Sequence, residues 1–180
     1  MSSPSTEPPA PLLITAELPP DLFAWAEDLR QRHFPPDRNH VRAHVTLFHA
    51  LPPSVEAEVR ALLAGHAAGP PPPARLTGIM KLGRGTAFDI ASEGMHAIRA
   101  EMAERLHGVL TAQDQAPPRL HVTVQNKVTS AEAKALQAQL AAAFSPRDFT
   151  FAGLALHKWR SGPWEGAGSW SFRGAKAKHG

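Results

Sequence analysis

Two histidines in this 180-residue chain stand in the same pentapeptide, Arg42-Ala43-His44-Val45-Thr46 and Arg119-Leu120-His121-Val122-Thr123. A neutral imidazole can take a proton from an attacking oxygen while a protonated one gives a proton to a departing oxygen. Free histidine titrates at about 6.5, so both forms are available near neutral pH. Each pentapeptide lies in an apolar run that reads as a β-strand. Side chains alternate along a strand, so His44 and Thr46 share one face against Val45 and Leu47, and His121 and Thr123 share one against Val122 and Val124. Each strand thus offers a ring and a hydroxyl roughly 7 Å apart by strand rise. The hydroxyls are suited to donate hydrogen bonds to nonbridging phosphate oxygens, where charge concentrates during in-line displacement.

These strands must be brought together by the elements around them, and the spacing suggests how. The offset between the histidines, 121 − 44 = 77, carries the stretch 21–34 onto 98–111, the stretch 54–67 onto 131–144, and Lys81 onto Lys158. A repeat of this length predicts two related units meeting about a pseudo-twofold axis, which would set the two histidines face to face. Apolar spacing gives a strand over 12–18, a helix opened by Pro19-Pro20-Asp21, the His44 strand, and a helix from Pro52-Pro53-Ser54 to about Gly65. A strand over 75–82, a turn at Gly83-Arg84-Gly85 and a strand over 86–91 follow. Next come a helix from about Glu93 to Thr111, the His121 strand, and a helix from Ser130 into Phe144. Apolar runs at 149–159 and 169–173 close the order, separated by the glycine-rich stretch 161–168.

Composition bounds the answer. Hydrophobic residues make up 43% and charged residues 19%, the latter below the usual ~25%, so the body of the chain is expected to fold. No cysteine is present, which excludes disulfides, thiolate metal sites and cysteine nucleophiles. Residues 1–11 lack the charged start and apolar core of a secretory signal, and no run approaches a membrane span. A cytoplasmic protein is expected, without membrane association. The net charge of +3 and pI of about 9.7 favour anionic partners only weakly.

Two His-hydrophobic-Thr-hydrophobic strands, His44-Val45-Thr46-Leu47 and His121-Val122-Thr123-Val124, set in duplicated β-α-β halves, resemble the two-histidine phosphoesterase superfamily. That group includes the 2′-5′ RNA ligase-like cyclic phosphodiesterases, and the likeness runs from about Leu12 to Phe172. The resemblance implies an α+β fold of two ferredoxin-like lobes, built from β-α-β-α-β units with antiparallel-rich sheets facing a central cleft. The expected organisation is a tail at 1–11, one bilobal domain at 12–173 with repeats at about 12–82 and 86–159, and a tail at 174–180. The resemblance also implies metal-independent hydrolysis of a 2′,3′-cyclic phosphate or 2′-5′ phosphodiester by a monomer, with no cofactor. An RNA end or a small nucleotide would be the partner, and His44, His121, Thr46 and Thr123 the catalytic set. Which histidine is acid and which is base stays open. So do ligation by the reverse reaction and a non-catalytic module binding RNA termini. A histidine-based metal site is disfavoured, because neither motif has a carboxylate or a close His-x-His beside it.

Further candidates for substrate binding come from parity and the repeat. Arg42 and Arg119 lie two residues before their histidines, placed for flanking phosphates, although exposed strand-end arginines account for them equally. Lys81 and Lys158 line the cleft or serve as solvated edge lysines. Phe48 and Gln125 share the cleft-side parity. Trp159, Trp164 and Trp170 either stack a base or fill a small core, and Trp159 joins the substrate-binding set. His49 is expected on the buried Val45 and Leu47 face, and His40 in a supporting position or on the surface. His33, His66, His96, His107, His157 and His179 are expected on the surface or on helix faces.

Overall fold

The computed structural model describes residues 10–174, so the expected tails lie almost wholly outside the described residues. Strand β1 (Leu12–Glu17) leads into helix α1 (Pro20–His33), whose proline start and basic last turn, Arg30, Arg32 and His33, suit the helix dipole. Strand β2 (Val45–Leu51) carries the first motif, and α2 (Glu56–Ala67) continues through Gly65. Strands β3 (Pro73–Leu82) and β4 (Gly85–Ala91) form a hairpin. Helix α3 (Glu93–Arg105) is capped by Ser92, whose hydroxyl accepts from the Met95 amide. A single turn α4 (Ala112–Gln115), strand β5 (His121–Gln125) and α5 (Ser130–Ala143) follow, then β6 (Arg147–Thr150), β7 (Gly153–Trp159) and β8 (Trp164–Ser171).

The strands form two four-stranded antiparallel sheets, ordered β2-β1-β7-β8 and β5-β4-β3-β6. This is the duplicated α+β architecture expected, with one refinement. The third strand of each repeat is exchanged: β3, from the first repeat, lies between β4 and β6, and β7, from the second, lies between β1 and β8. Each sheet therefore draws on both halves of the sequence. A shared apolar core runs across both sheets through Ile14, Leu22, Phe48, Phe88, Met95 and Phe151, all essentially without solvent exposure.

Several expectations need correction. The helices do not follow the 77-residue offset, since α1 starts at Pro20 and α3 at Glu93, a difference of 93 − 20 = 73. The apolar run 149–159 breaks at Ala152 into β6 and β7, which join different sheets. Most of the glycine-rich stretch 161–168 is strand β8 rather than a connector. Its hydrogen bonds to β7 supply the order that its composition does not.

Both motif strands also carry a β-bulge at the same place. Thr15 faces Thr46 and Ile14 faces Phe48, leaving Leu47 as an extra residue on β2. Likewise Ala87 faces Thr123 and Thr86 faces Gln125, leaving Val124 extra on β5. Leu47 and Val124 are related by the repeat offset. The extra residue inverts side-chain parity immediately after each threonine.

Candidate active site

Each motif histidine is fixed by its own strand. His44 Nδ1 lies 2.8 Å from the carbonyl of Arg42, and His121 Nδ1 lies 2.7 Å from that of Arg119. A carbonyl only accepts, so both Nδ1 atoms carry the proton and both Nε2 atoms are left for chemistry. The two half-buried rings are near enough that charge on His121 disfavours charge on His44. Glu27 of α1 holds the approach to β2 by accepting from the Ala43 amide at 2.7 Å.

The backbone behind each motif is braced by a buried arginine from the other repeat. Arg30 of α1 donates to the Thr123 carbonyl at 3.0 Å and to Asn39 Oδ1 at 2.8 Å. Arg99 of α3 donates to the Leu47 carbonyl at 3.2 Å and also to the carbonyl of Asp114. Their guanidinium groups lie over Phe34 and Phe48, 4.1 and 4.2 Å from the ring centroids. Both arginines thus serve the carbonyls at the threonine-bulge step, where an extra residue disrupts the strand ladder.

Around His44 the site is aromatic and enclosed. The Trp164 ring sits 4.5 Å from that of His44 and 5.3 Å from that of His157, centroid to centroid. His157 Nε2 is 3.0 Å from the Thr15 hydroxyl. Burial lowers the His44 pKa to about 4, against the hydrogen bond to the Arg42 carbonyl; the nearby charge of Arg30 and those of His157 and His121 push the same way as burial. Burial lowers that of His157 as well. A cavity of about 580 Å³ opens beside this ring pair, walled by Phe23, Leu18, Val41, Arg42, Trp164 and Gly166. A second cavity, of about 290 Å³, lies on the His121 side and is bounded by Thr46, His49, Met80, Pro118, Arg119 and His121.

This geometry is accompanied by a family match. The model of the family described as "2'-5' RNA ligase superfamily" matches residues 18–163. The chain belongs to the 2′-5′ RNA ligase superfamily. Solved structures with the same fold include TT0787 of Thermus thermophilus, with 19% identity, a TM-score of 0.59, and coverage of 92% of this chain and 100% of that one. Escherichia coli LigT complexed with 3′-AMP gives 17% identity and a TM-score of 0.57 over 92% of this chain and 99% of LigT. A structure described as a phosphoesterase gives 17% and 0.59 over 92% and 99%. No curated protein sequence matches the chain.

Within this superfamily member, the remaining candidates separate by face. Residues paired across an antiparallel ladder share a side of the sheet. Thr123 pairs with Ala87, which pairs with Met80 at the second cavity, so Lys81 falls on the opposite face. Lys158 also faces away from the site and binds Glu56 of α2 at 3.2 Å. Phe48 is in the core at 0% exposure, and buried Gln125 accepts from the Thr86 hydroxyl at 2.9 Å, so neither meets a substrate. The bulges account for both, by turning these side chains inward. The same inversion turns His49 outward, to 40% exposure, against the buried place expected for it.

The two arginines differ. Arg42 lines the larger cavity and lies over Phe23, 5.4 Å from its ring centroid. Arg119 is committed to a two-pronged ion pair with Asp89 at 2.8 and 2.6 Å. Among the tryptophans, Trp159 is 46% exposed and pairs with Trp164 across the β7–β8 ladder, and it is Trp164 that reaches His44. Trp170 packs against the core. His157, expected on the surface, instead completes the wall beside His44. Its neighbour Lys158 faces α2, and strand parity alone turns His157 toward the site once 153–159 is read as a strand.

Among the described residues, no group of three or more His, Cys, Asp or Glu side chains is arranged to hold a metal ion. None of the described helices is long and apolar enough to cross a membrane.

Proposed function

We propose that this chain is a phosphodiesterase that opens 2′,3′-cyclic phosphates, at RNA ends or on nucleotides, by acid-base catalysis between His44 and His121. The observation that carries this reading is the matched anchoring of the rings, each with Nδ1 on the carbonyl two residues back and with Nε2 unbonded among the described residues. His44 is the base: with its pKa lowered to about 4, it is neutral at neutral pH and its Nε2 lone pair is available. As the water oxygen bonds to phosphorus, its proton passes to His44 Nε2. The phosphorus–oxygen bond to the ribose breaks on the opposite side, and His121 Nε2–H protonates that oxygen. The product is a phosphomonoester, and solvent restores both rings. Thr46 and Thr123, beside the rings on the same strands, donate to the nonbridging oxygens.

A second reading is favoured by the large cavity beside the base. A space of about 580 Å³ walled by Trp164 and Phe23 exceeds what a water nucleophile needs and suits a nucleoside whose hydroxyl takes the place of water. The same groups would then join a cyclic end to an alcohol, or cleave a 2′-5′ linkage in reverse. The deciding experiment incubates the protein with 2′,3′-cyclic nucleotides and 2′-5′ dinucleotides, with and without a chelator. Turnover that survives the chelator and is lost in His44→Ala and in His121→Ala, both still folded, supports the reading. Binding without product from any substrate would make the chain an RNA-terminus binding module.

A further inference from the structure

Asp114 is deeply buried, 1% exposed, and the groups that donate hydrogen bonds to its carboxylate come from the outward-turned end of β2. Its Oδ1 accepts from the His49 amide at 2.9 Å and from His49 Nδ1 at 3.0 Å, while Oδ2 accepts from the amides of His49 and Ala50 at 3.0 Å each. These bonds hold the carboxyl pKa below its ordinary value although burial works the other way. Two backbone amides would suffice to seat the carboxylate. The bond to the ring does something more, because it fixes the orientation and tautomer of a half-open imidazole.

An ionised carboxylate only accepts, so the Nδ1 that meets it carries the hydrogen, and in the neutral ring Nε2 is then an acceptor. No hydrogen bond to Nε2 of His49 is formed among the described residues, and the ring bounds the same cavity of about 290 Å³ as Thr46 and His121. In that neutral form the Nε2 lone pair repels phosphate oxygens and matches an O–H donor. The two arginines of the cavity are engaged, Arg119 by Asp89 and Arg99 by two carbonyls, and Gln113 also lines it.

His49 lies three residues beyond Thr46, which places it roughly 7–10 Å from the phosphate-binding hydroxyl by strand rise, and the bulge brings both to one side. With the ribose of the cyclic phosphate on the acid side, next to His121, that span leads to the preceding nucleotide. The hydroxyl such a nucleotide offers is its 2′-OH, the group that distinguishes RNA from DNA. We propose that His49, oriented by Asp114, accepts a hydrogen bond from the 2′-hydroxyl of the nucleotide preceding the terminal phosphate, so that the cleft selects RNA ends over mononucleotides and over DNA-like chains. This rests on the phosphodiesterase reading for the orientation of the substrate.

The test measures binding rather than turnover. Two dinucleotides ending in a 3′-phosphate, one with ribose and one with 2′-deoxyribose at the first position, are titrated calorimetrically into the wild-type protein and into His49→Phe. The ribose form is expected to bind about fivefold more tightly to the wild type, the worth of one ordinary hydrogen bond, and the ratio is expected to fall to about one in His49→Phe. Equal affinities in the wild type overturn the proposal whether or not the variant folds, and so does a preference that persists in a folded His49→Phe. Discrimination by a wild type that hydrolyses no cyclic phosphate would leave this contact standing while removing the proposed activity.

Discussion

The enclosure of His44 by Trp164 makes a quantitative claim about pH. With a pKa of about 4, His44 is roughly 97% neutral at pH 5.5, whereas a ring at the free value of about 6.5 would be only ~9% neutral there. Trp164→Ala removes the ring that lies 4.5 Å from His44 and lets water reach it. Relief of the burial moves the pKa upward, and full return to the free value would reduce the reactive fraction at pH 5.5 about tenfold. At pH 8 both proteins hold His44 neutral. The quantity to compare is therefore the ratio of kcat/KM at pH 8 to that at pH 5.5, on a 2′,3′-cyclic nucleotide, because losses in substrate contact common to both pH values cancel. The wild-type acid limb in kcat/KM should fall near pH 4, and that of Trp164→Ala should move toward 6.5, raising the ratio up to about tenfold. An acid limb near 6.5 in the wild type, or an unmoved limb in a folded Trp164→Ala protein, would refute the assignment of His44 as an enclosed neutral base.

Other expectations follow from the same structure. Arg30→Ala strands the Thr123 carbonyl and Asn39 Oδ1, and should cost about 2–4 kcal/mol in denaturant titration. Gly85→Ala drives a methyl group into the Gln125 carbonyl oxygen, forcing β4 off β5, and should lower the melting temperature sharply. Lys81→Ala and Lys158→Ala, on faces turned away from the site, should leave kcat/KM within about twofold, whereas a cleft lysine on a phosphate would show a loss of at least ~10-fold. For stability, the unfolded chain binds a proton on His44 below its ordinary value near 6.5 while the folded chain resists until about pH 4. Melting temperature should accordingly fall as pH drops through that window, and less so in His44→Gln.

The repeated His and Thr residues and most of the order of strands and helices were legible because they depend on local spacing, while the two-unit α+β architecture followed from the repeat together with the family resemblance. The bulges at Leu47 and Val124 were not, since an extra residue in a ladder is defined by its partner strand and leaves no mark in apolar periodicity. That single feature misplaced Phe48, Gln125 and His49. Pairing of β7 with β1 brings His157 to Thr15 across 142 residues of sequence, a juxtaposition set by topology alone. Asp114 sits in a polar turn that resembles many others until the outward end of β2 meets it.

The exchange of β3 and β7 between the sheets also bears on how this protein can be taken apart. Cleaving the tight hairpin between Leu82 and Gly85 would yield a first fragment that lacks β7 and β8 of its own sheet and holds β3 of the other, and a second that lacks the inner strand β3 and holds β7 and β8 of the other. Neither piece has a complete scaffold for its histidine, so the fragments should fold only by mutual complementation. The molecule is in effect a covalently tethered domain-swapped pair, and its two half-sites cannot be inherited separately.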